Sequence, residues 1–382
     1  MIVVVGAGPA GMAAAVRARE CGKRVTVLDD NPTAGGQIWR GGKGSLWFQK
    51  FRESGAVLLT GRRVISGNAK DRTLQIENAY GASELEYETL ILATGARELF
   101  LPFPGWTLPN VMGVGGLQAL VKSGLPVEGK RIVVAGSGPL LLAVAHYLRK
   151  HKAIVPVVAE QASWTALLAF ASHLTPAKLL QAATLQTPAY QPNTWVTRAE
   201  GGGKLEQVQL SSGKTISCDY LAIAYGFVPN NELAIHLGSS PSILQAGECT
   251  GIGGVELSVI EGEIAGYTAA GHADRLQAAH RRAQRFADTL NRTFAPRPEL
   301  RNLCQPDTTL CRCEDVPLSR LESASSWREA KLHFRCGMGP CQGRICGPAV
   351  NFLFNWQSES IRPPVFPARV ASLITSKEPA QK

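Results

Sequence analysis

The sequence predicts an α/β protein in which parallel strands alternate with helices, and three features carry that prediction. Ile2 to Val5 is a continuous apolar run, the mark of a strand buried on both faces, and it feeds directly into the turn GAGPAG, with glycines at Gly6, Gly8 and Gly11. A helix then runs to about Cys21, closed by Gly22, and the next strand, Arg24 to Leu28, ends at Asp29, eighteen residues after Gly11. Further along, Arg131-Ile132-Val133-Val134-Ala135 repeats the pattern and enters a second glycine-rich turn, Gly136-Ser137-Gly138-Pro139-Leu140-Leu141.

Each part of the first unit has a physical task. Gly6 permits the tight turn, Gly8 lets backbone amides approach a pyrophosphate, and Gly11 allows close helix-to-strand packing. Pro9 and Ala10 open the helix, whose N-terminal N–H groups face the phosphate charge. Asp29, with Asp30 beside it, stands where a ribose would lie. A lone glycine fingerprint is weak, but strand, glycines, helix, second strand and acid all occur in order. In the second unit Leu141 takes the third glycine position and crowds helix against strand. The following strand is expected at Val155 to Ala159 with Glu160 as its acid, although Pro156 cannot donate a ladder hydrogen bond. Phe103 to Pro109 is read as the crossover into this second domain, its Phe and Trp as packing residues.

At 382 residues, 45% hydrophobic and 18% charged, the chain is long enough for two to three domains at roughly 150 residues each, which excludes wholesale disorder. Its 39 glycines follow no three-residue period, and no apolar stretch approaches the roughly 18 residues of a membrane-spanning helix. The N-terminus enters a strand without a basic leader, so a cytoplasmic location is expected. The net charge of +10 comes from scattered Lys and Arg, with no basic run interleaved with aromatics, so no nucleic-acid partner is expected. An acidic protein partner and a plain solvated basic surface both remain open.

Six of the nine cysteines, Cys304, Cys311, Cys313, Cys336, Cys341 and Cys346, fall within 43 residues. In a reducing compartment such clustering argues for metal ligation over disulfides, and no CxxC occurs. The two close pairs, Cys311-Arg312-Cys313 and Cys341-Gln342-Gly343-Arg344-Ile345-Cys346, match neither the bacterial nor the plant-type ferredoxin pattern. Spacing alone leaves zinc, an iron–sulfur cluster and buried thiols open. Before them, Leu276 to Arg292 reads as a helix with Arg281, Arg282 and Arg285 on a solvated face, and Pro296 and Pro298 mark a linker.

Four further segments carry a family resemblance. They are Ala34-Gly35-Gly36-Gln37; Leu90-Ile91-Leu92-Ala93-Thr94-Gly95-Ala96; Leu221 to Asn230; and Ala246-Gly247-Glu248 followed by Gly253-Gly254-Val255-Glu256. Together with the first turn they resemble the two-dinucleotide-binding-domain flavoprotein family. The resemblance implies a Rossmann-like FAD domain at 1–96 and 220–293 with an inserted NAD-like domain at 97–219. It also implies FAD contacts from Gly36, Gln37, Ala93, Thr94, Gly95, Gly247, Glu248, Gly254 and Val255. A helix from Gly254 to about Thr268 would aim its N-terminus at the flavin, where its positive end stabilises charge arising on reduction. Two features depart from the family: Glu248 replaces its Asp, and the stretch from Asn231 to Ile243 is short. In related flavoproteins the second domain binds NAD(P)H. Here three readings stand: a nicotinamide site, a site for another nucleotide, or a domain kept for structure and subunit contact.

CRCEDV followed by RCGMGPCQGRICG resembles the bacterioferritin-associated-ferredoxin-like [2Fe–2S] module, a small helical C-terminal domain expected at 299–382. The resemblance implies Cys311, Cys313, Cys341 and Cys346 as ligands. Cys336, where the family usually lacks a cysteine, is treated as a spare. Gly337, Gly339, Gly343 and Gly347 would let N–H groups approach the sulfurs, and Arg312, Arg335 and Arg344 would offset a charge of about −2 on the oxidised cluster and its ligands.

Over nearly its whole length the chain resembles the α subunits of heteromeric dye-linked dehydrogenases acting on amino or imino acids. That group includes D-hydroxyproline and proline dehydrogenases, opine oxidases and hydrogen cyanide synthases. It implies a flavin-containing, amine-oxidase-like β subunit, with room for an external electron acceptor and a small ferredoxin-like γ subunit. No catalytic acid or base stands out, and His146, His151 and His173 read as ordinary helix or surface residues. Two other readings are a stand-alone NAD(P)H:acceptor reductase and a non-enzymatic assembly protein with FAD and zinc as supports.

Overall fold

A computed structural model describes residues 1–39, 46–185, 187, 189–272, 275–357 and 361–374. It divides into two units, each with its own parallel sheet. The first comprises the described residues of Met1–Arg97, Pro229–Ala287 and Glu359–Lys382, the second those of Glu98–Val228 and Asp288–Ser358.

In the first unit the strand Ile2–Val5 lies at the centre of a five-stranded sheet. Thr89–Leu92 and then Ile243–Gln245 lie on one side, and Val25–Asp29 and then Val57–Thr60 on the other, all parallel. Its four apolar residues alternate between two cores, as the two-residue strand period requires. Ile2 and Val4 join Val25, Val27 and Ile91 beneath the helices, while Val3 and Val5 join Leu28, Leu74, Leu90 and Leu92 on the opposite face. The helix Pro9–Glu20, rich in alanine, packs against Gly254–Ala269. Small residues set that spacing: a Cβ on Gly262 would fall 2.1 Å from the Ala10 carbonyl oxygen, and one on Gly266 would fall 2.3 Å from that of Ala14. Arg17 Nε closes the pair with a 2.7 Å bond to Glu263. The chain's last described segment returns to this unit, where the Arg369 N–H donates to Glu77 (2.9 Å) beside the antiparallel strands Arg63–Asn68, Thr73–Glu77 and Ala82–Glu86.

The second unit repeats the plan around Ile132–Gly136, with strand order Tyr190–Gln191, Val158–Glu160, Ile132–Gly136, Tyr220–Ala224, Val111–Gly113, again all parallel. The strand expected at Val155 to Ala159 begins only at Val158, because Pro156 has no N–H to give the ladder. The antiparallel strands Val196–Glu200, Gln207–Leu210 and Thr215–Ser217 cover part of its core. The cysteine-rich segment packs with this unit: Leu300 lies in the same core as Leu101, Phe103 and Trp106, and the Trp106 indole N–H donates to the Thr309 carbonyl at 2.6 Å. The expected arginine-bearing helix is Gln277–Thr293. It buries Ala283 and Ala287 and leaves Arg281, Arg282 and Arg285 exposed.

Candidate cofactor and metal sites

The first glycine turn is held by backbone that tolerates no side chain. Gly6 has φ +106, and a Cβ there would lie 2.2 Å from the Ala93 carbonyl oxygen; one on Gly11 would lie 1.8 Å from the Gly6 oxygen. Gly8 and Gly36 face each other, a Cβ on Gly36 falling 3.1 Å from the Gly8 Cα. The Gly35 N–H ties the second glycine loop to the first through the Ala7 oxygen (2.8 Å). The result is a cradle bare of side chains at the N-terminus of the Pro9–Glu20 helix, whose first turn carries no acid. This geometry fits a pyrophosphate.

Of the sequence-derived FAD residues, Gly36, Ala93 and Gly247 lie against this cradle. Ala93 backs Gly6, and the Thr94 carbonyl receives an N–H from Asn230 at 3.1 Å, while the Asn230 backbone N–H donates to Gly95 (2.9 Å). Gly247 lies against Ala10, where any side chain would collide with the Ala10 methyl at 2.6 Å. Glu248 accepts the Gly254 N–H at 3.3 Å, occupying the first donor of the Gly254–Ala269 helix, and burial raises its pKa. Val255 follows it on the helix and is exposed.

Two acids behave differently from a freely offered ribose acceptor. Asp29, 7% exposed, braces the turn: Oδ2 accepts the Ala7 N–H (2.6 Å) and Oδ1 accepts the Asn31 N–H and side-chain amide (both 2.8 Å). Asp30 points to an ion pair with Arg63 at 2.9 Å. Gln37 is exposed.

The second glycine turn has the same backbone and a different environment. Its acid, Glu160, is one carbon longer and reaches one residue further, accepting the Gly138 N–H at 2.8 Å as well as the Ala162 N–H at 2.9 Å. In the first turn the equivalent of Gly138 is Gly8, whose N–H has no acceptor among the described residues. Burial pushes the Glu160 carboxyl up to about 7 against the pull of these N–H groups. The chain then covers its own turn. Ser137 Oγ donates to the Phe294 carbonyl (2.8 Å), Gln161 Nε2 donates to Ser137 Oγ (2.9 Å) and to the Ala295 carbonyl (3.0 Å), and the Arg297 N–H donates back to Gln161 Oε1 (3.1 Å). The Phe294 ring lies 4.0 Å from where a Gly138 Cβ would be and meets Phe170 edge-on, with ring centroids 5.2 Å apart. Sequence reasoning missed Gln161 and Phe294, since nothing in a local pattern brings residue 294 to residue 137. It also missed Glu98, whose carboxylate takes the Gly115 and Gly116 N–H groups (2.8 and 3.2 Å) at the start of the helix Val114–Lys122; burial raises its pKa.

Five cysteines converge in the last segment. Cys311 ends a short strand, Cys313 follows it, Cys336 lies just past the helix Trp327–Phe334, and Cys341 precedes Cys346, which opens the helix Cys346–Phe354. The sulfurs of Cys311, Cys336 and Cys346, all buried, lie within 4.8 Å of one another. Cys341 interacts with both Cys346 and Cys313. The spare of the sequence reading is thus inside the group. Hydrogen bonds from Cys336 and Cys346 hold the Cys311 thiol far below the usual thiol range, and the Gly337 N–H adds another at 3.4 Å. Gly339 presses on Cys313, where a Cβ would lie 2.3 Å from the Cys313 Cβ. Arg335 is paired with Glu314 (2.7 Å), and Arg344 bonds Gln342 Oε1 (2.7 Å). Cys304 stands apart, its thiol raised to about 12 by burial and by Asp307. An all-sulfur donor set, with three buried sulfurs within 4.8 Å of one another, fits a thiophilic metal centre.

Among the described residues no helix is long and apolar enough to cross a membrane. Residues 1–243 match the family model described as pyridine nucleotide-disulphide oxidoreductase. The chain is 28% identical to one of the subunits of the opine oxidase of Rhizobium meliloti, covering 97% of this chain and 86% of that one. It is 29% identical to the HcnB component of the hydrogen cyanide synthase of Pseudomonas aeruginosa, covering 90% of each. Among solved structures, L-proline dehydrogenase from P. horikoshii superposes with a TM-score of 0.71 at 18% identity, over 98% of this chain and 79% of that one. With two parallel sheets, each entered by a glycine turn, and a family match over most of its length, the chain belongs to the pyridine nucleotide-disulphide oxidoreductase family.

Proposed function

We propose that the chain is the FAD- and [2Fe–2S]-bearing electron-transfer (α) subunit of a heteromeric dehydrogenase that oxidises an amino or imino acid such as D-hydroxyproline or proline. The observation that carries this reading is the pairing, within one chain, of an open glycine cradle with five converged cysteines, while the second glycine turn is covered by residues 294–297. When bound, FAD supplies two-electron acceptance with release of single electrons, and a [2Fe–2S] centre supplies one-electron transfer.

The residues of this chain then divide the work. Gly6, Gly8, Gly11 and Gly36 admit the pyrophosphate, and the Pro9–Glu20 helix offers it N–H groups. Glu248, which accepts the first N–H of the Gly254–Ala269 helix, stands where the family carries an Asp and would face the ribityl chain. Cys311, Cys313, Cys341 and Cys346 hold the iron pair. Substrate oxidation belongs to a flavin-containing β subunit, a reading supported by relatives that are themselves named as subunits of an opine oxidase and a hydrogen cyanide synthase. Electrons leave through an external acceptor, and a ferredoxin-like γ subunit is a further member of the assembly. The stand-alone NAD(P)H reductase reading loses ground because Glu160 and Phe294 occupy the surface that a second pyrophosphate would need.

Purification of the tagged chain from its native host, identification of the chains that accompany it, and a screen of D- and L-imino acids and opines with a dye acceptor test the proposal. Dye reduction by one of these substrates, dependent on an accompanying flavoprotein chain, is expected. A chain that purifies alone and reduces dye with NADH contradicts it.

A further inference from the structure

We infer that the helices Trp164–Ala171 and Pro176–Leu185 dock on an anionic lipid bilayer, which makes the chain a peripheral membrane protein. This goes beyond the electron-transfer reading and depends on neither cofactor. Both helices turn large apolar side chains outward. In Trp164–Ala171 the solvent face carries Trp164 and, one helical turn on, Leu168 and Ala169, with Trp164 60% and Leu168 68% exposed. Phe170 turns inward, edge-on to Phe294. After a link of four residues, Pro176–Leu185 presents Leu179, Leu180 and Ala183 in the same way, with Leu180 69% exposed. A surface helix in water turns such residues toward the core. One exposed leucine needs no explanation, but four large apolar side chains on two consecutive helices mark an interaction site.

Charge selects the occupant. Between Glu128 and Glu200 the chain has one acid, Glu160, which is buried in the second glycine turn, whereas the same stretch holds seven Lys and Arg residues. This part of the unit therefore presents no exposed carboxylate of its own. Lys178 lies on Pro176–Leu185 itself. The helix packed against it, Leu140–Lys150, ends in Arg149 and Lys150 and runs into His151 and Lys152; the last three of these are exposed, and Lys152 is shared with Glu128 at 2.9 Å. Among the described residues, the exposed positions of the two docking helices carry no charged group, and such groups are what fix the register of a protein partner. An apolar, tryptophan-bearing helix pair among positive charges matches a bilayer in both respects. Leucines enter the acyl boundary, the indole sits at headgroup level, and lysines meet lipid phosphates.

The test is flotation of the full-length chain, alone and with its accompanying chains, on vesicles of phosphatidylethanolamine with phosphatidylglycerol, or of phosphatidylcholine alone. Wild type is expected to float with the anionic vesicles, less with phosphatidylcholine, and less again at high salt. Two double variants, Trp164→Ser with Leu168→Gln and Leu179→Gln with Leu180→Gln, change only exposed positions, and circular dichroism checks their folding. Each should bind the anionic vesicles about tenfold more weakly. Tyr80→Ser, at an exposed aromatic of the first unit, should bind as wild type does. Wild type that fails to float in either form overturns the inference, as does equal binding to both lipids or equal binding by the double variants. Loss of an accompanying chain from the double variants, with no vesicle binding by wild type, overturns it by making the face a protein interface; self-association of wild type that the double variants abolish, again without vesicle binding, makes it a contact between copies. None of these results depends on flavin or iron content, so they stand apart from failure of the electron-transfer reading.

Discussion

Raising the pH from 4.5 to 8 removes stability from the second unit through one carboxyl group, that of Glu160. The side chain is 0% exposed, and burial, opposed by N–H bonds from Ala162 and Gly138, pushes its pKa from 4.5 up to about 7. The folded chain therefore holds a proton on Glu160 over a pH range in which the unfolded chain has released it. The contribution is fully present below about 4.5, declines through the interval and is lost above 7. A shift of that size corresponds to about 3 kcal/mol. Glu160→Gln keeps the size and removes the titration. Urea unfolding of both proteins at a series of pH values, followed by circular dichroism, isolates the effect, since other titrating groups cancel in the difference. The wild-type advantage over Glu160→Gln should fall by about 3 kcal/mol between pH 4.5 and 7.5. A pH-independent difference would refute the reasoning and mean that the N–H bonds keep the carboxylate ionised despite its burial.

Helix packing and the covered second turn each give a further test. Gly262→Ala places a methyl group 2.1 Å from the Ala10 oxygen, so the Pro9–Glu20 and Gly254–Ala269 helices must separate. Overpacking of this kind costs about 1–3 kcal/mol, and the variant should melt lower and retain less flavin; an unchanged melting temperature and flavin content would contradict the packing argument. Anaerobic mixing of the isolated, flavin-loaded chain with NADH or NADPH should leave the flavin absorbance unbleached or bleach it only slowly. Prompt bleaching would mean that the segment at Phe294 does not close the second turn.

The parts of the fold that are legible in the sequence are those whose cause is local. Ile2–Val5 and Ile132–Gly136 announce central strands because every residue before the turn is apolar, and the glycine turns announce themselves because no other residue fits at Gly6 or Gly136, where a Cβ would meet a carbonyl oxygen at 2.2 and 1.8 Å. The apolar run from Val155 suggests a strand three residues too early because it continues through Pro156, although the ladder cannot. The role of Glu160 is not legible: an acid at a strand end reads alike whichever N–H of the turn it takes, and Asp29 stops at Ala7 where Glu160, one methylene longer, reaches Gly138. Phe294 gives no signal, since its contact with Ser137 spans 157 residues. Cys336 is visible as an extra cysteine, but its position depends on the left-handed turn at Arg335, which no glycine marks.

A flavin cradle and an iron-binding thiol group in one chain are the foundation of the proposed electron-transfer role, and cofactor analysis of the purified protein tests that pairing most directly. Anaerobic isolation followed by acid release of flavin, iron determination and a visible spectrum should give about one FAD and about two irons per chain, with flavin and iron–sulfur absorbance superimposed. Colourless protein, or zinc in place of iron, would contradict it.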